Sequence, residues 1–319
     1  MKRIALTIAV CLAFAGVFSL YGCSYTGNND GLIVVCSTFV QYDWCRELLG
    51  ERADDTTLTL LADNGLDIHS YQPSAEDIIK IATCDVIIYI GGTSDKWIRE
   101  VLEENPKPDR KVISLLDAVG DNLKLEVLPD GAQHEHEHDG SHAVDEYDEH
   151  VWLSLRNARV ICEKISDALS AADPENKELY SENLKSYTAQ LSSLDREYLS
   201  AVQSAKNNTL IFADRYPFRY LLDDYSINCY AAFAGCSSET SASFETIATL
   251  SSKLRELSLG YLITIENSDQ SIARAVISAA DAQDIEILSL DSMQSVSERG
   301  SSYINIMKQN LDVLKTALN

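Results

Sequence analysis

No glycine or proline interrupts residues 175–205, and Tyr180, Leu184, Tyr187, Leu191, Leu194, Tyr198 and Val202 recur there at spacings of three and four. That period predicts one amphipathic helix, opened by Asp173-Pro174, since proline suits a first helical turn. At 1.5 Å per residue it spans on the order of 45 Å, enough to run the length of a small domain. A helix of that reach limits what the flanking halves of the 319-residue chain can be. It predicts a rigid connector between two lobes. The plainer alternative is an ordinary amphipathic helix packed on one lobe.

Both halves alternate strand with helix. Before the connector, strands are predicted at 32–35, 56–61, 86–90 and 112–115, with helices from 42, 74 and 95. Ser74-Ala75-Glu76-Asp77 reads as a capping box. A helix over 153–169 leads to the connector. After it, strands are predicted at 210–213, 228–233, 261–265 and 285–290, with helices from 217, 243, 268 and 303. The expected fold class is therefore α/β: two lobes, each a mostly parallel sheet flanked by helices, joined by a long rigid helix. The expected divisions are a signal peptide (1–22), a tether (23–30), a first lobe (31–172) that includes a loop over 133–150, the connector (173–206) and a second lobe (207–319). No sequence repeat relates the lobes.

The amino terminus reads as an export signal. Lys2 and Arg3 precede a mostly apolar run from Ile4 to Leu20, which is followed by Tyr21-Gly22-Cys23. The small residue before Cys23 resembles a bacterial lipoprotein cleavage box, with Cys23 as the lipid attachment point. An uncleaved anchor helix is the alternative, and either reading puts the body outside the cytoplasm. Six cysteines then remain, an even number in an exported chain, so disulfides are permitted. Cys229 and Cys236 are the closest pair in sequence that could close a loop between elements. No CxxC is present. The formal net charge of −23, from 49 acidic against 26 basic residues, argues against nucleic acid and suits cations.

Five of the six histidines fall within 133–152. His134, His136, His138 and His142 sit among acidic and small residues with no apolar period, which predicts a loop that collects metal. A solvated acidic loop is the plainer reading. His150 directly precedes Val151-Trp152-Leu153 and belongs to packed structure. The sixth, His69, follows a predicted strand, where ligands bind in open parallel sheets. Imidazole with carboxylate is a ligand set for a borderline divalent ion such as zinc. The second lobe has no histidine, so its candidate ligands are acids at strand ends: Asp214, Glu266 and Asp269.

These residues carry a resemblance. Gly65-Leu66-Asp67-Ile68-His69-Ser70-Tyr71-Gln72-Pro73-Ser74 resembles the G-x-D-P-H-x-Y-x-P-T motif of the zinc/manganese solute-binding lipoproteins of bacterial ABC importers. Asp148-Glu149-His150-Val151-Trp152-Leu153 resembles their D-P-H-x-W-L motif. The resemblance runs over nearly the whole mature chain. A His-rich loop before the second motif is typical of the zinc-type branch. The resemblance implies a lipid-anchored, extracytoplasmic, monomeric receptor, not an enzyme, that binds Zn2+ and delivers it to a permease and its ATPase. Mn2+ or Fe2+ is the alternative cargo. The chain departs from the pattern in three places. Ile68 and Glu149 stand where proline precedes each family histidine. Pro217-Phe218-Arg219-Tyr220-Leu221 aligns Arg215 with the family's third ligand, and a guanidinium has no lone pair to give. Asp214 could replace it, and the fourth ligand falls in the Glu266–Asp269 segment.

Two readings of other kinds compete. His134-Glu135-His136-Glu137-His138-Asp139 superficially resembles H-x-H-x-D-H of zinc hydrolases, but the order is wrong at the end and no strand leads in. H-E-x-x-H and G-x-S-x-G are absent. An adhesin or metal-storage lipoprotein without a transporter would be told apart by its gene neighbours.

Overall fold

The computed structural model describes residues 31–63, 65–126, 130, 146–237, 241–282, 284–296 and 301–319. Cys23, the signal and tether segments, and His134, His136, His138 and His142 lie outside them. The first half runs β1 (Ile33–Cys36), α1 (Phe39–Leu49), β2 (Thr57–Leu60), α2 (Ala75–Thr83), β3 (Val86–Tyr89), α3 (Lys96–Glu104), β4 (Lys111–Ser114), α4 (Leu115–Val119) and α5 (Leu155–Ala172). The long helix is α6 (Lys177–Gln203). The second half runs β5 (Thr209–Tyr216), α7 (Arg219–Tyr225), β6 (Asn228–Ala234), α8 (Phe244–Glu256), β7 (Tyr261–Ile265), α9 (Ser271–Ala280), β8 (Glu286–Leu290) and α10 (Tyr303–Ala317).

There are two four-stranded sheets, ordered β2-β1-β3-β4 and β6-β5-β7-β8, and the strands in each pair in parallel. The two orders share one topology: the second strand adds to one side of the first, and the third crosses to the other. No sequence repeat announces this, because the topology needs only apolar strands and covering helices. Each crossing leaves a crevice at the carboxyl ends of the strands, between β1 and β3 and between β5 and β7.

The long helix packs on both halves. It lies against α1 and α5 of the first half and α7 and α10 of the second. It buries Tyr180, Tyr187, Leu191, Leu194 and Tyr198. One apolar core continues from β1 through this helix to β5 and α10, so the bridge is part of the packing. The last helix also returns to the first half, where Tyr303 N donates to Asp43 Oδ2 at 2.8 Å.

Two local differences from the sequence reading bear on the site. β5 does not stop at Ala213. It continues to Tyr216 with a register shift: Phe212 pairs Ala231 and Arg215 pairs Phe233, so two residues face one. Asp214 therefore lies within a bulged strand, not beyond its end, and bulges re-aim side chains. The six cysteines of the described residues are free thiols. Cys229 lies near the start of β6 and Cys236 just past its end, which at about 3.3 Å per residue sets them on the order of 20 Å apart, beyond disulfide reach.

Candidate metal site

The first motif folds as a single turn, Ile68–Ser70, at the end of the β2 loop. Asp67 Oδ1 accepts from His69 N at 3.0 Å and starts that turn. The second motif folds as a turn over Val151–Leu153, all three buried, and Ser154 then caps α5 by accepting from Asn157 N. His150 is fully buried in front of it. The two rings lie 5.7 Å apart, centroid to centroid, and the His150 ring meets the Trp152 ring edge-on at 5.2 Å.

The partners assign both tautomers. Asp148 Oδ1 lies 3.0 Å from His150 Nδ1 and also accepts from His150 N at 2.9 Å. A carboxylate can only accept there, so Nδ1 carries the proton. His69 Nδ1 lies 2.6 Å from Ser94 Oγ. That hydroxyl spends its one proton on Glu149 Oε2, so it accepts from His69 Nδ1–H. Both Nε2 atoms are left with their lone pairs outward, the orientation that metal-binding histidines take when a second partner holds Nδ1.

Glu149, in place of the motif proline, organises this shell. Its Oε1 accepts from Thr93 N, Thr93 Oγ1 at 2.7 Å and Ser94 N at 3.1 Å. Burial works to raise its pKa, but the donors from Ser94 and Thr93 outweigh it and hold the carboxylate below its ordinary range. Gly92 makes room, since a Cβ there would overlap the Glu149 carboxylate. Burial also opposes charge on both rings. For His150 burial is the largest single influence, but Asp148, Glu149 and Glu126 together outweigh it and set the pKa above the ordinary value. His69 sits below it, through burial and then the charge of His150.

The two lone pairs converge on Gln294, a residue with no sequence signal. Its Nε2 lies 2.8 Å from His69 Nε2 and 2.7 Å from His150 Nε2, so each amide N–H meets one imidazole. Glu266 holds that loop: Oε2 accepts from Ser292 N at 2.8 Å, and Oε1 from Ser292 Oγ at 2.7 Å and Gln294 N at 3.3 Å.

Among the described residues, the ligand atoms that come together are those of His69, His150 and Cys236, all within 4.8 Å of one another. Cys236 follows Gly235 at the carboxyl end of β6. Glycine is required at 235: a Cβ there would lie 2.9 Å from Tyr216 O and 3.0 Å from His150 Cε1. From the sequence Cys236 reads as a disulfide half or a buried free thiol and not as a ligand, although it stands after a strand, as the candidate acids are expected to. The structure does not bring Asp214, Glu266 or Asp269 into this group. Asp214 accepts from Arg215 N at 2.8 Å and Ser268 Oγ at 2.5 Å. Asp269 accepts from Ser271 N at 2.7 Å, at the start of α9. These three acids line an adjacent cleft of about 570 Å3 with Asp67 and Arg215. Arg215 turns to Asp67, with both terminal nitrogens 3.4 Å from its Oδ2.

Two imidazoles and a thiol suit a borderline divalent ion. Burial, and then the charges of Glu126, Glu149 and Asp148, hold the Cys236 thiol well above its ordinary range, so it stays protonated until a cation, which the same carboxylates favour, takes the proton's place. Comparisons with known proteins agree in kind. The zinc-binding lipoprotein AdcA of Streptococcus pneumoniae is 30% identical over 99% of this chain, which spans only 61% of that protein's length. The structure of the Zn(II)-bound ZnuA-like domain of that protein superposes with a TM-score of 0.70 at 28% identity, covering 90% of this chain and 99% of the domain. The iron ABC transporter substrate-binding lipoprotein MtsA of Streptococcus pyogenes is 28% identical over 99% of both chains. The profile of the periplasmic component A of zinc-uptake complexes matches residues 34–317. By that match, the chain belongs to the ZnuA family of zinc-uptake components.

Proposed function

We propose that this chain is the extracytoplasmic receptor that captures Zn2+ and passes it to the permease and ATPase of an ABC importer. Its family is one of solute-binding components rather than enzymes. The observation that carries the reading is the pair of facing imidazoles, His150 buried and His69 half-buried. Separate partners hold their Nδ1 protons and aim both Nε2 lone pairs at one point. A lipid on Cys23 would tether the receptor, acting as a monomer, to the membrane. His134, His136, His138 and His142 would raise the local concentration of ions near the cleft. A manganese or iron receptor is the second reading, favoured by the full-length similarity to MtsA. The nitrogen and sulfur donors favour zinc over manganese.

Calorimetric titration of the chain from Ser24 tests this, with zinc against manganese. One tight zinc site should survive deletion of 133–142 and be lost in His69→Ala. Tight binding that disappears with the loop and persists in His69→Ala would overturn the cleft assignment.

A further inference from the structure

We infer that the Cys236 thiolate is the third ligand to the captured ion, making a His2Cys site in which sulfur sets the preference for zinc over manganese. This rests on the receptor reading above and adds a residue and a selectivity to it.

Three observations lead there. The Cys236 Sγ lies within 4.8 Å of the two ring nitrogens, with both imidazoles already in the metal-binding tautomer. A tetrahedral ion with bonds of about 2.0–2.3 Å would hold such atoms roughly 3.5 Å apart, so closing the site needs movement on the order of 1 Å. Second, the neighbouring alternatives are engaged elsewhere. Glu266 takes three donors from the Ser292–Gln294 loop, Asp214 takes Ser268 and its own strand, and Arg215 is held on Asp67. Third, the backbone is built for this approach. Gly235 lets β6 end directly against the His150 ring, and Cys236 N is fixed by Glu126 Oε1 at 3.2 Å.

The chemistry balances simply. The S–H bond breaks, an S–Zn bond forms, and the proton leaves to the buffer. The Gln294 amide, which now donates to both Nε2 atoms, moves off as the ion takes those lone pairs. Thiolate is a soft ligand that selects zinc, while manganese prefers oxygen.

Cobalt(II) loading of the chain from Ser24 is the test, because a cobalt–thiolate bond gives an intense near-ultraviolet charge-transfer band that histidine and carboxylate ligands do not. The native chain should show the band, and Cys236→Ser and Cys236→Ala should lose it. In those variants zinc affinity should fall by more than the roughly 10–100-fold that outer-shell partners cost, with manganese affinity almost unchanged. Cobalt bound without the band, a band that persists in both variants, or an unaltered zinc-to-manganese ratio would overturn the thiolate ligand and leave the receptor reading standing. A native chain that binds neither zinc nor cobalt tightly would overturn both. The native spectrum alone decides the matter if a variant does not fold.

Discussion

At His69 and His150 two different devices reach the same end. Asp148 accepts from His150 Nδ1–H directly, while Glu149 reaches His69 through the Ser94 hydroxyl. Adjacent residues of one motif thus orient both rings. Gln294 completes the arrangement by giving each lone pair an N–H. Replacing Gln294 with Ala should lower the stability of the metal-free protein by about 1–2 kcal/mol, the cost of buried acceptors left unpaired. Zinc affinity should not fall, because the ion no longer displaces the amide. Parallel denaturation and calorimetry check both, and weaker zinc binding in the variant would show that the amide oxygen is itself a ligand. The histidines are legible in the sequence because their motifs are distinctive. Cys236 is not, since a thiol in an exported chain reads first as a disulfide half. Gln294 carries no motif and reaches the site only through the loop that Glu266 holds.

Among the elements, the long helix is the most legible, and its contacts the least. Periodicity gives Tyr180, Leu184, Tyr187, Leu191, Leu194, Tyr198 and Val202 as one face, of which Leu184 and Val202 are half-buried and the other five buried. It cannot say that the face meets both halves, because that depends on α10 returning across the first lobe. Nor does it distinguish the hydroxyls of Tyr187 and Tyr198. Tyr198 OH donates to Met307 O at 2.6 Å, whereas Tyr187 OH finds no partner among the described residues. Tyr198→Phe should therefore destabilise by about 1 kcal/mol, and Tyr187→Phe should be neutral or stabilising because it removes an unsatisfied polar atom. Urea midpoints decide it, and equal losses in the two variants would contradict the packing described. The strand bulge in β5 is illegible for a related reason. Leu210–Ala213 is an apolar run that stops at Asp214, but ladder pairing with β6 carries the strand on to Tyr216.

For the whole molecule, buried acids make stability depend on pH. Asp43, Asp95 and Asp291 are each pushed up to about 6, above the ordinary 3.8, first by burial. A carboxyl whose pKa is higher in the fold stabilises fully below its unfolded value, and that contribution is lost as pH rises through the folded value. Asp291→Asn keeps an oxygen for Met293 N, which donates to Asp291 Oδ1 at 2.7 Å, and removes the charge that faces Glu266. Between about pH 4 and about pH 7 the native chain should lose about 1–2 kcal/mol relative to this variant, after allowance for partial exposure. Denaturation curves across that window test the sign, and parallel pH profiles would refute it. The division into two α/β halves is readable from alternating strands and helices. Their shared topology and continuous core are not, because both are set by which strands neighbour one another in space.

The proposed ion site lies between His69, His150 and Cys236. X-ray absorption at the zinc edge tests it most directly, on the chain from Ser24 lacking 133–142 and loaded with one equivalent. Two imidazole nitrogens at about 2.0–2.1 Å and one sulfur at about 2.3 Å are expected. A shell of oxygen atoms alone, or a spectrum that His69→Ala leaves unchanged, would contradict it.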